Sequence, residues 1–131
     1  MEKIFVLTGE IVHGKGLGRT VGMPTANLAV HNQQLPAPGV YATQIIIGEQ
    51  RYDSVTNIGT RPSVDQEEYE TVETCILDFE ADIYGKQVVL EGVRFLRPIQ
   101  RFASLQEVQA QVQIDIKESK NIFNNIKEDE V

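Results

Sequence analysis

The 131-residue sequence contains a single cysteine and no tryptophan, and it has no long apolar run. One thiol, that of Cys75, cannot form an internal disulfide or a multi-cysteine metal site. The apolar stretches are far shorter than the roughly 20 residues that a membrane helix needs, and the N-terminus lacks the features of a signal peptide. We therefore expect a cytoplasmic protein that does not associate with a membrane.

Negative charge is absent from one part of an otherwise acidic chain. The net charge is -7, yet no Asp or Glu occurs between Glu10 and Glu49, a stretch that contains Lys15 and Arg19. An acidic chain with few aromatic residues is not typical of a nucleic-acid-binding protein, so we expect no such partner. The acid-free, glycine-rich segment indicates a site for a small anion such as phosphate, and a chance gap in the charge pattern is the alternative.

The order of the predicted elements indicates a β-barrel within a single domain that spans residues 1–131. Five β-branched stretches, which predict five or six strands, precede Pro98 without an intervening helical pattern. This favours an antiparallel all-β core and most simply a small closed barrel. The Gly48-Glu49 pair predicts a type II′ hairpin turn, and Gly85 suits a second turn. The stretches are IFVLTGEIV, VYATQIII, RYDSVTNI, YETVETCILDF and KQVVLEGVRFL.

The apolar period changes after Pro98 and predicts one C-terminal helix on the outside of the barrel. Ser104 and Glu107 match the capping box that begins many helices. The helix is expected over about 104–122, and the polar residues 124–131 are expected to fray. Its apolar face comprises Leu105, Val108, Val112, Ile116 and Phe123.

The segment GEIVHGKG nearly matches a P-loop. Gly16 stands where that motif needs Ser or Thr, and Gly22 and Pro24 oppose the helix that should follow, so we reject a P-loop. Glycines still allow backbone N–H groups to approach phosphate oxygens closely, and two cations add positive charge; a turn without a ligand is the alternative. The candidate anion-binding residues are Gly14, Lys15, Gly16, Gly18 and Arg19.

Thr25 and Asn27 are candidate metal ligands. They follow Pro24 and lie two residues apart, so both project to the same side of an extended segment. A hydroxyl and an amide oxygen are hard donors of the kind that Mg²⁺ prefers, particularly when nucleotide phosphates supply further oxygens. A side-chain-stabilised turn is the alternative.

Glu73 is the candidate general base. In a strand it shares a face with Thr71, Cys75, Leu77 and Phe79. If that face is the interior of the barrel, the carboxylate lies at its rim or carries a burial cost, which favours a functional role. A strand end at which Glu73 reaches solvent is the alternative.

Five segments resemble, in order and spacing, the hallmarks of the riboflavin kinase family. The similarity extends from about Gly9 to Ile116. Within the family, the chain resembles the kinase domain of bacterial bifunctional riboflavin kinase/FAD synthetase. It implies a six-stranded antiparallel Greek-key barrel with a C-terminal helix, and transfer of the ATP γ-phosphate to the ribityl 5′-hydroxyl of riboflavin to give FMN. The segments are HGKGLGRTVGMPTANL, PGVYAT, VTNIGTRPSVD, VETCILDFEADIYGK and RFLRPIQRFASLQEVQAQVQIDI.

The resemblance also implies roles for individual residues. Thr25 and Asn27 match ligands of the Mg²⁺–nucleotide complex, and Glu73 matches the glutamate that accepts the hydroxyl proton. Gly14 and Arg19 fall in the ATP-binding loop. The remaining matches are Ile76 and Tyr84, which lie where the family lines its nucleotide site, and Arg97, Gln100 and Phe102, which lie in the segment that receives the flavin.

Three positions depart from the family pattern without removing a proposed ligand or the base. Met23, Ser63 and Cys75 stand where Phe, Thr and His are common.

A regulatory module that binds flavin or nucleotide without turnover is the alternative function, and the intact ligand and base residues favour an enzyme. The chain contains no FMN adenylyltransferase motif, so we expect it to stop at FMN, as a monomer or as part of a larger FAD synthetase.

Overall fold

The computed structural model describes residues 2–12, 25–31, 33–62, 68–79 and 81–129. Within these ranges the chain forms six strands followed by one helix. They are β1 (Phe5–Val12), β2 (Ala26–Ala29), β3 (Gly39–Ile47), β4 (Gln50–Pro62), β5 (Glu68–Ile76), β6 (Gln87–Arg97) and α1 (Leu105–Asp129).

The strands close into a barrel in the order β1-β2-β5-β4-β3-β6, and every neighbouring pair is antiparallel. Strands β3, β4 and β5 pair consecutively, and β6 returns to lie beside β3, which is a Greek-key arrangement. Closure leaves no sheet edge exposed. The predicted six-stranded antiparallel barrel with a C-terminal helix is confirmed.

The hairpin between β3 and β4 has the predicted two-residue turn. Ile47 pairs with Gln50, and Gly48 has a φ of 62°. Among the described non-glycine residues only Asp78 has a positive φ, so the φ of Glu49 is negative. A positive φ at the first central residue and a negative φ at the second are what a type II′ turn requires. The local turn residues therefore fix the register of β3 and β4 at this end.

Alternate side chains of each strand fill the interior of the barrel. On β5 the inward side chains are those of Val72 and Ile76, and the hydroxyl-bearing Thr74 lies between them on the same face. The odd-numbered neighbours on this strand, including Glu73, consequently point outward. The interior cluster comprises Leu7, Ile11, Leu28, Tyr41, Ile45, Ile58, Val72, Ile76, Ile83, Val88 and Leu90.

A second apolar cluster lies outside the barrel, beneath α1. Ile116 of the helix packs with residues from three different strands and from the turn after β5. We call this the covered patch, and it comprises Val40, Val55, Cys75 and Leu77. Burial of these side chains holds the helix against the barrel. Within the part of the chain that the structure describes, no helix is long and apolar enough to cross a membrane.

The start of α1 agrees with the predicted capping box, but its end does not agree with the prediction. Ser104 Oγ accepts a hydrogen bond from the Glu107 backbone N–H at 3.2 Å, and the Glu107 carboxylate accepts one from Ala103 N–H at 2.8 Å. The prediction that residues from 124 fray is wrong as far as Asp129, where the helix ends. Ile126 has polar neighbours in the sequence, but it continues the apolar face of the helix and packs beside the buried Phe123.

Candidate active site on the outer face of the barrel

A row of directly paired residues crosses the outer face of the barrel. Each member is aligned with the next by backbone register, so all six side chains point to the same face, with Cβ atoms of neighbours about 5 Å apart. We call this the outer row. In order from β1 to β6 it comprises Val12, Asn27, Glu73, Asn57, Val40 and Arg97.

Glu73 lies on the outside of the barrel and is half-buried. The condition that this strand face is the barrel interior is not met, and the helix explains why other side chains on the face are apolar. Cys75 and Leu77 share this face with Glu73, and they are apolar because they lie in the covered patch beneath Ile116. Glu73 stands two residues before the covered part of the strand, in the middle of β5 rather than at its end.

Cys75 is a core residue of the covered patch. Its side chain is buried, and burial raises the pKa of the thiol. A thiol with a raised pKa stays protonated at neutral pH and is a poor nucleophile. This position contributes to packing beneath the helix.

Asn27 is brought beside Glu73 by the pairing of β2 with β5, although the two residues are far apart in sequence. Both side chains are half-buried, and Thr25 immediately precedes β2. The structure thus brings one predicted metal ligand together with the predicted base. Within the described ranges, no group of three or more His, Cys, Asp or Glu residues could hold a metal ion.

The predicted ATP-binding loop lies outside the described residues. Its members are Gly14, Lys15, Gly16, Gly18 and Arg19, and the departures Met23 and Ser63 also lie outside. Val12, the first member of the outer row, is the last described residue before this loop. The chain therefore enters the glycine-rich segment from one end of the row.

Tyr84 lies in the loop that adjoins the end of β1. Ile11 accepts a hydrogen bond from Gly85 N–H and donates one to the Lys86 carbonyl, both at 2.9 Å, and the Tyr84 side chain is exposed. Ile76, the other residue matched to the nucleotide site, belongs to the interior cluster. The structure places Tyr84 near the end of β1 but does not place the Ile76 side chain on the outer row.

Arg97 ends the outer row and is held by the helix. Its Nε and Nη2 atoms donate to the two carboxylate oxygens of Asp115 at 3.0 and 2.9 Å, and Gln111 donates to the same carboxylate at 3.0 Å. The guanidinium also lies 5.8 Å from the centre of the Phe102 ring. A two-pronged pair of this kind fixes direction as well as distance. Arg97 thus positions the start of the predicted flavin segment, 97–102, against α1.

The flavin segment borders the same surface as Glu73. A Cβ atom built on Gly59 would lie 3.7 Å from Asn57 Oδ1 and 3.9 Å from both Ile99 Cδ1 and Thr71 Oγ1. Ile99 therefore lies over β4, next to Asn57, and Gln100 follows it as an exposed residue. The predicted flavin segment thus lies beside Asn57, which is the direct neighbour of Glu73 in the outer row.

Two residues of this surface had no predicted role. Asn57 lies within the VTNIG stretch, but its pairing with Glu73 depends on strand register. Asp115 is only 3% exposed, and its position in the sequence could have indicated a buried ion pair. It lies three residues after Val112 and beside Ile116 in a helix, so an acidic residue interrupts the apolar face and requires a buried partner.

The barrel fold and this surface agree with a family assignment made from sequence. The family model described as Flavokinase, riboflavin kinase, matches residues 1–123, and the chain belongs to the riboflavin kinase family. Its members phosphorylate riboflavin with ATP and produce FMN. The bifunctional riboflavin kinase/FMN adenylyltransferase of Escherichia coli (strain K12) is 40% identical over 120 residues, which cover 91% of this chain and 38% of that protein. The chain thus spans well under half of the curated relatives that it matches.

Two solved structures resemble the chain in fold. A protein from Streptococcus pneumoniae, described as a macrolide-efflux protein, has a TM-score of 0.82 and 33% identity, with 88% of this chain and 38% of that chain covered. Riboflavin kinase from Trypanosoma brucei has a TM-score of 0.66 and 22% identity, with 94% and 82% covered. At that identity the second likeness supports the fold alone.

Proposed function

We propose that the chain transfers the γ-phosphate of ATP to the ribityl 5′-hydroxyl of riboflavin and releases FMN and ADP. The observation that carries this proposal is the outer row, in which Glu73 lies directly between Asn27 and Asn57 on a surface that the flavin segment borders. Membership in the riboflavin kinase family supports the choice of both substrates.

The order of the row supports the direction in which the two substrates approach. Val12 leads into the predicted ATP-binding loop at one end, and Arg97 begins the flavin segment at the other. Neighbouring strands lie about 4.8 Å apart, so the row spans about 24 Å along the curved wall. A nucleotide from one end and a flavin from the other meet near Glu73.

Glu73 acts as the base in this proposal. The 5′-oxygen of riboflavin attacks the γ-phosphorus, the bond from that phosphorus to the bridging oxygen breaks, and ADP leaves. The hydroxyl proton passes to the Glu73 carboxylate. Phosphoryl transfer depends chiefly on positioning and charge stabilisation, so Glu73 must orient the alcohol as well as accept its proton.

The residues beside Glu73 fit a magnesium–nucleotide complex. The Asn27 amide oxygen and the Thr25 hydroxyl are hard neutral donors, which suit Mg²⁺ when phosphate oxygens complete the ligand set. When bound, the ion would neutralise negative charge on the phosphates. Asn27 would orient the phosphate end of the nucleotide on the side of Glu73 that faces β1.

We further propose that the chain works in the cytoplasm, where ATP is available, as a monomer or as the kinase part of a larger protein. The second arrangement has support from the alignment with 38% of a bifunctional relative. By itself the chain is expected to make FMN and not FAD.

Product analysis tests the proposal directly. The purified chain is incubated with riboflavin and ATP, with and without Mg²⁺, and the flavins are separated by chromatography. We expect FMN only when all three are present, no FAD, and no product from a Glu73→Gln sample prepared in parallel within the same short incubation. Bound riboflavin without FMN would contradict the kinase proposal and favour a binding module, and FAD would contradict the limit to one reaction.

A further inference from the structure

We propose that Asn57 binds the ribityl chain of riboflavin in the recess above Gly59, and that it selects flavins that carry this polyol. The inference rests on the proposed kinase function and adds a specificity residue to it. Three observations support it, namely the place of Asn57 in the outer row, the shape of the recess, and the chemistry of its lining.

Asn57 lies on the flavin side of the base. The register places it directly beside Glu73, opposite to Asn27, and therefore on the side from which the row continues to Arg97. Asn57 is exposed, whereas the next member, Val40, is buried beneath the helix. Asn57 is thus an accessible polar group between the base and the flavin segment.

The recess beside Asn57 exists because residue 59 has no side chain. Gly59 is two residues further along β4 and faces outward. The Asn57 amide oxygen, the Thr71 hydroxyl and the Ile99 methyl group each lie 3.7–3.9 Å from the point that its Cβ would occupy. The recess is polar on the side of β4 and β5 and apolar on the side of the flavin segment.

A polyol fits this lining better than a ring or a phosphate does. The hydroxyl groups next to the reacting 5′-hydroxyl must lie close to Glu73. Asn57 is paired with Glu73, so the Cβ atoms of the two residues are about 5 Å apart. An amide offers both a donor and acceptor positions, and each ribityl hydroxyl needs both. The Thr71 hydroxyl donates to the Gly59 carbonyl at 3.4 Å, which leaves its oxygen as an acceptor toward the recess.

Two variants test the contact from opposite directions. Asn57→Ala removes the amide, and Gly59→Ala fills the recess while its methyl group remains at ordinary contact distances. Affinities for riboflavin and for lumiflavin, which has the ring without the ribityl chain, are measured by flavin fluorescence, together with the KM for ATP. We expect each variant to weaken riboflavin binding roughly 3- to 10-fold, the share of one neutral hydrogen bond, and to leave lumiflavin binding and the KM for ATP unchanged.

Asn125→Ala is the matched control, because Asn125 is an exposed asparagine near the far end of α1. It should alter none of these values. Equal losses for riboflavin and lumiflavin, a raised KM for ATP, or unchanged riboflavin binding in both variants would overturn the proposal. If Asn57→Ala fails to fold by circular dichroism, Gly59→Ala decides alone. Failure of the parent chain to make FMN would overturn the kinase function instead, since the two flavin affinities are measured without turnover.

Discussion

The outer face of this barrel contains two regions that share a strand but differ in cover. Glu73 of β5 lies in the outer row, whereas Cys75 of β5 and Leu77 just after the strand lie beneath α1 in the covered patch. All three belong to the outward-facing side of the chain at this point, two residues apart. Position relative to the helix therefore decides whether a side chain packs or remains available to a substrate.

The covered patch is therefore expected to contribute mainly to folding stability, and the outer row mainly to catalysis and binding. Apolar side chains in the covered patch contribute about 25 cal/mol for each Å² removed from water. The outer row also contains the exposed Asn57, and substitutions at exposed positions usually change stability by less than about 0.5 kcal/mol. Variants in the two regions should consequently fail in different measurements.

The largest effect is expected from Glu73→Gln, which keeps the size of the side chain but cannot accept a proton. We expect kcat to fall roughly 10²- to 10⁴-fold, the usual share of general base catalysis, with little change in the free energy of unfolding. Single-turnover rates and riboflavin affinity are measured on the same preparation, together with a urea unfolding curve.

Two outcomes would break the distinction at this position. A rate loss below about tenfold would mean that Glu73 mainly orients the ribityl chain, because a loose phosphoryl-transfer transition state needs little early deprotonation. A large loss of stability with unchanged chemistry per folded molecule would place Glu73 among the packing residues.

Phe123→Ala should have the converse effect. Phe123 is 2% exposed and packs with Ala42 and Val93 beneath the second half of α1. Its truncation should lower the free energy of unfolding by about 3–5 kcal/mol, and kcat per folded molecule should stay near the parent value. Ile114→Ala is the control on the same helix, since Ile114 is 50% exposed and should cost less than about 0.5 kcal/mol. Equal losses of stability in both variants would contradict the assignment of the packed face.

The elements governed by local chemistry were predictable from sequence. The Gly48-Glu49 turn follows from the φ that glycine permits, and the start of α1 follows from the Ser104 and Glu107 pair. The end of α1 was missed because Ile126 is surrounded by polar residues, so its packing beside Phe123 is a property of the folded chain.

The site was predictable as a set of residues but not as a surface. Both faces of β5 carry apolar side chains, Val72 inside and Cys75 outside, so alternation could not identify the interior. The meeting of Asn27, Glu73 and Asn57 requires β5 to pair with β2 as well as β4. Pairing of strands that are not consecutive depends on closure of the whole barrel, which no local pattern encodes.

Asn27→Ala should have an intermediate effect, confined to the nucleotide. Loss of one oxygen donor should reduce the gain in ADP affinity that Mg²⁺ provides, by roughly tenfold if the oxygen binds the ion or its charged complex. ADP affinity is measured by calorimetry with and without Mg²⁺. Asn57→Ala is the matched variant on the other side of Glu73 and should leave this gain unchanged.

The two asparagine variants together test whether the nucleotide side and the flavin side of the outer row are distinct. If Asn27→Ala leaves the Mg²⁺-dependent gain unchanged, Asn27 is a strand residue that does not bind the ion. If both variants reduce it equally, the nucleotide extends across Glu73 and the two sides of the row are not distinct.

The smallest effect is expected at Glu91, a buried carboxylate on the outer face of the barrel. Glu91 of β6 pairs with Gln44 of β3 and is only 4% exposed, and it forms ion pairs with Lys3 and Arg51. Burial by itself would raise the pKa of Glu91, but hydrogen bonds from Lys3 and Arg51 outweigh it and hold the pKa below its ordinary value of 4.5. The two cations therefore keep Glu91 ionised, and the ionised carboxylate stabilises the folded barrel.

The sign of the pH dependence follows from the lowered pKa of Glu91. A carboxylate whose pKa is depressed in the folded state contributes stability above its ordinary value of 4.5 and loses that contribution as the pH falls through the folded pKa. Because Lys3 and Arg51 are more than a third exposed, solvent limits the contribution to about 1 kcal/mol. Urea unfolding of the parent and of Glu91→Gln should therefore differ by about this amount at pH 7 and converge as the pH falls below 4.5. A difference that persists unchanged at pH 3 would mean that Glu91 stabilises the barrel by packing and hydrogen bonding that do not require its charge.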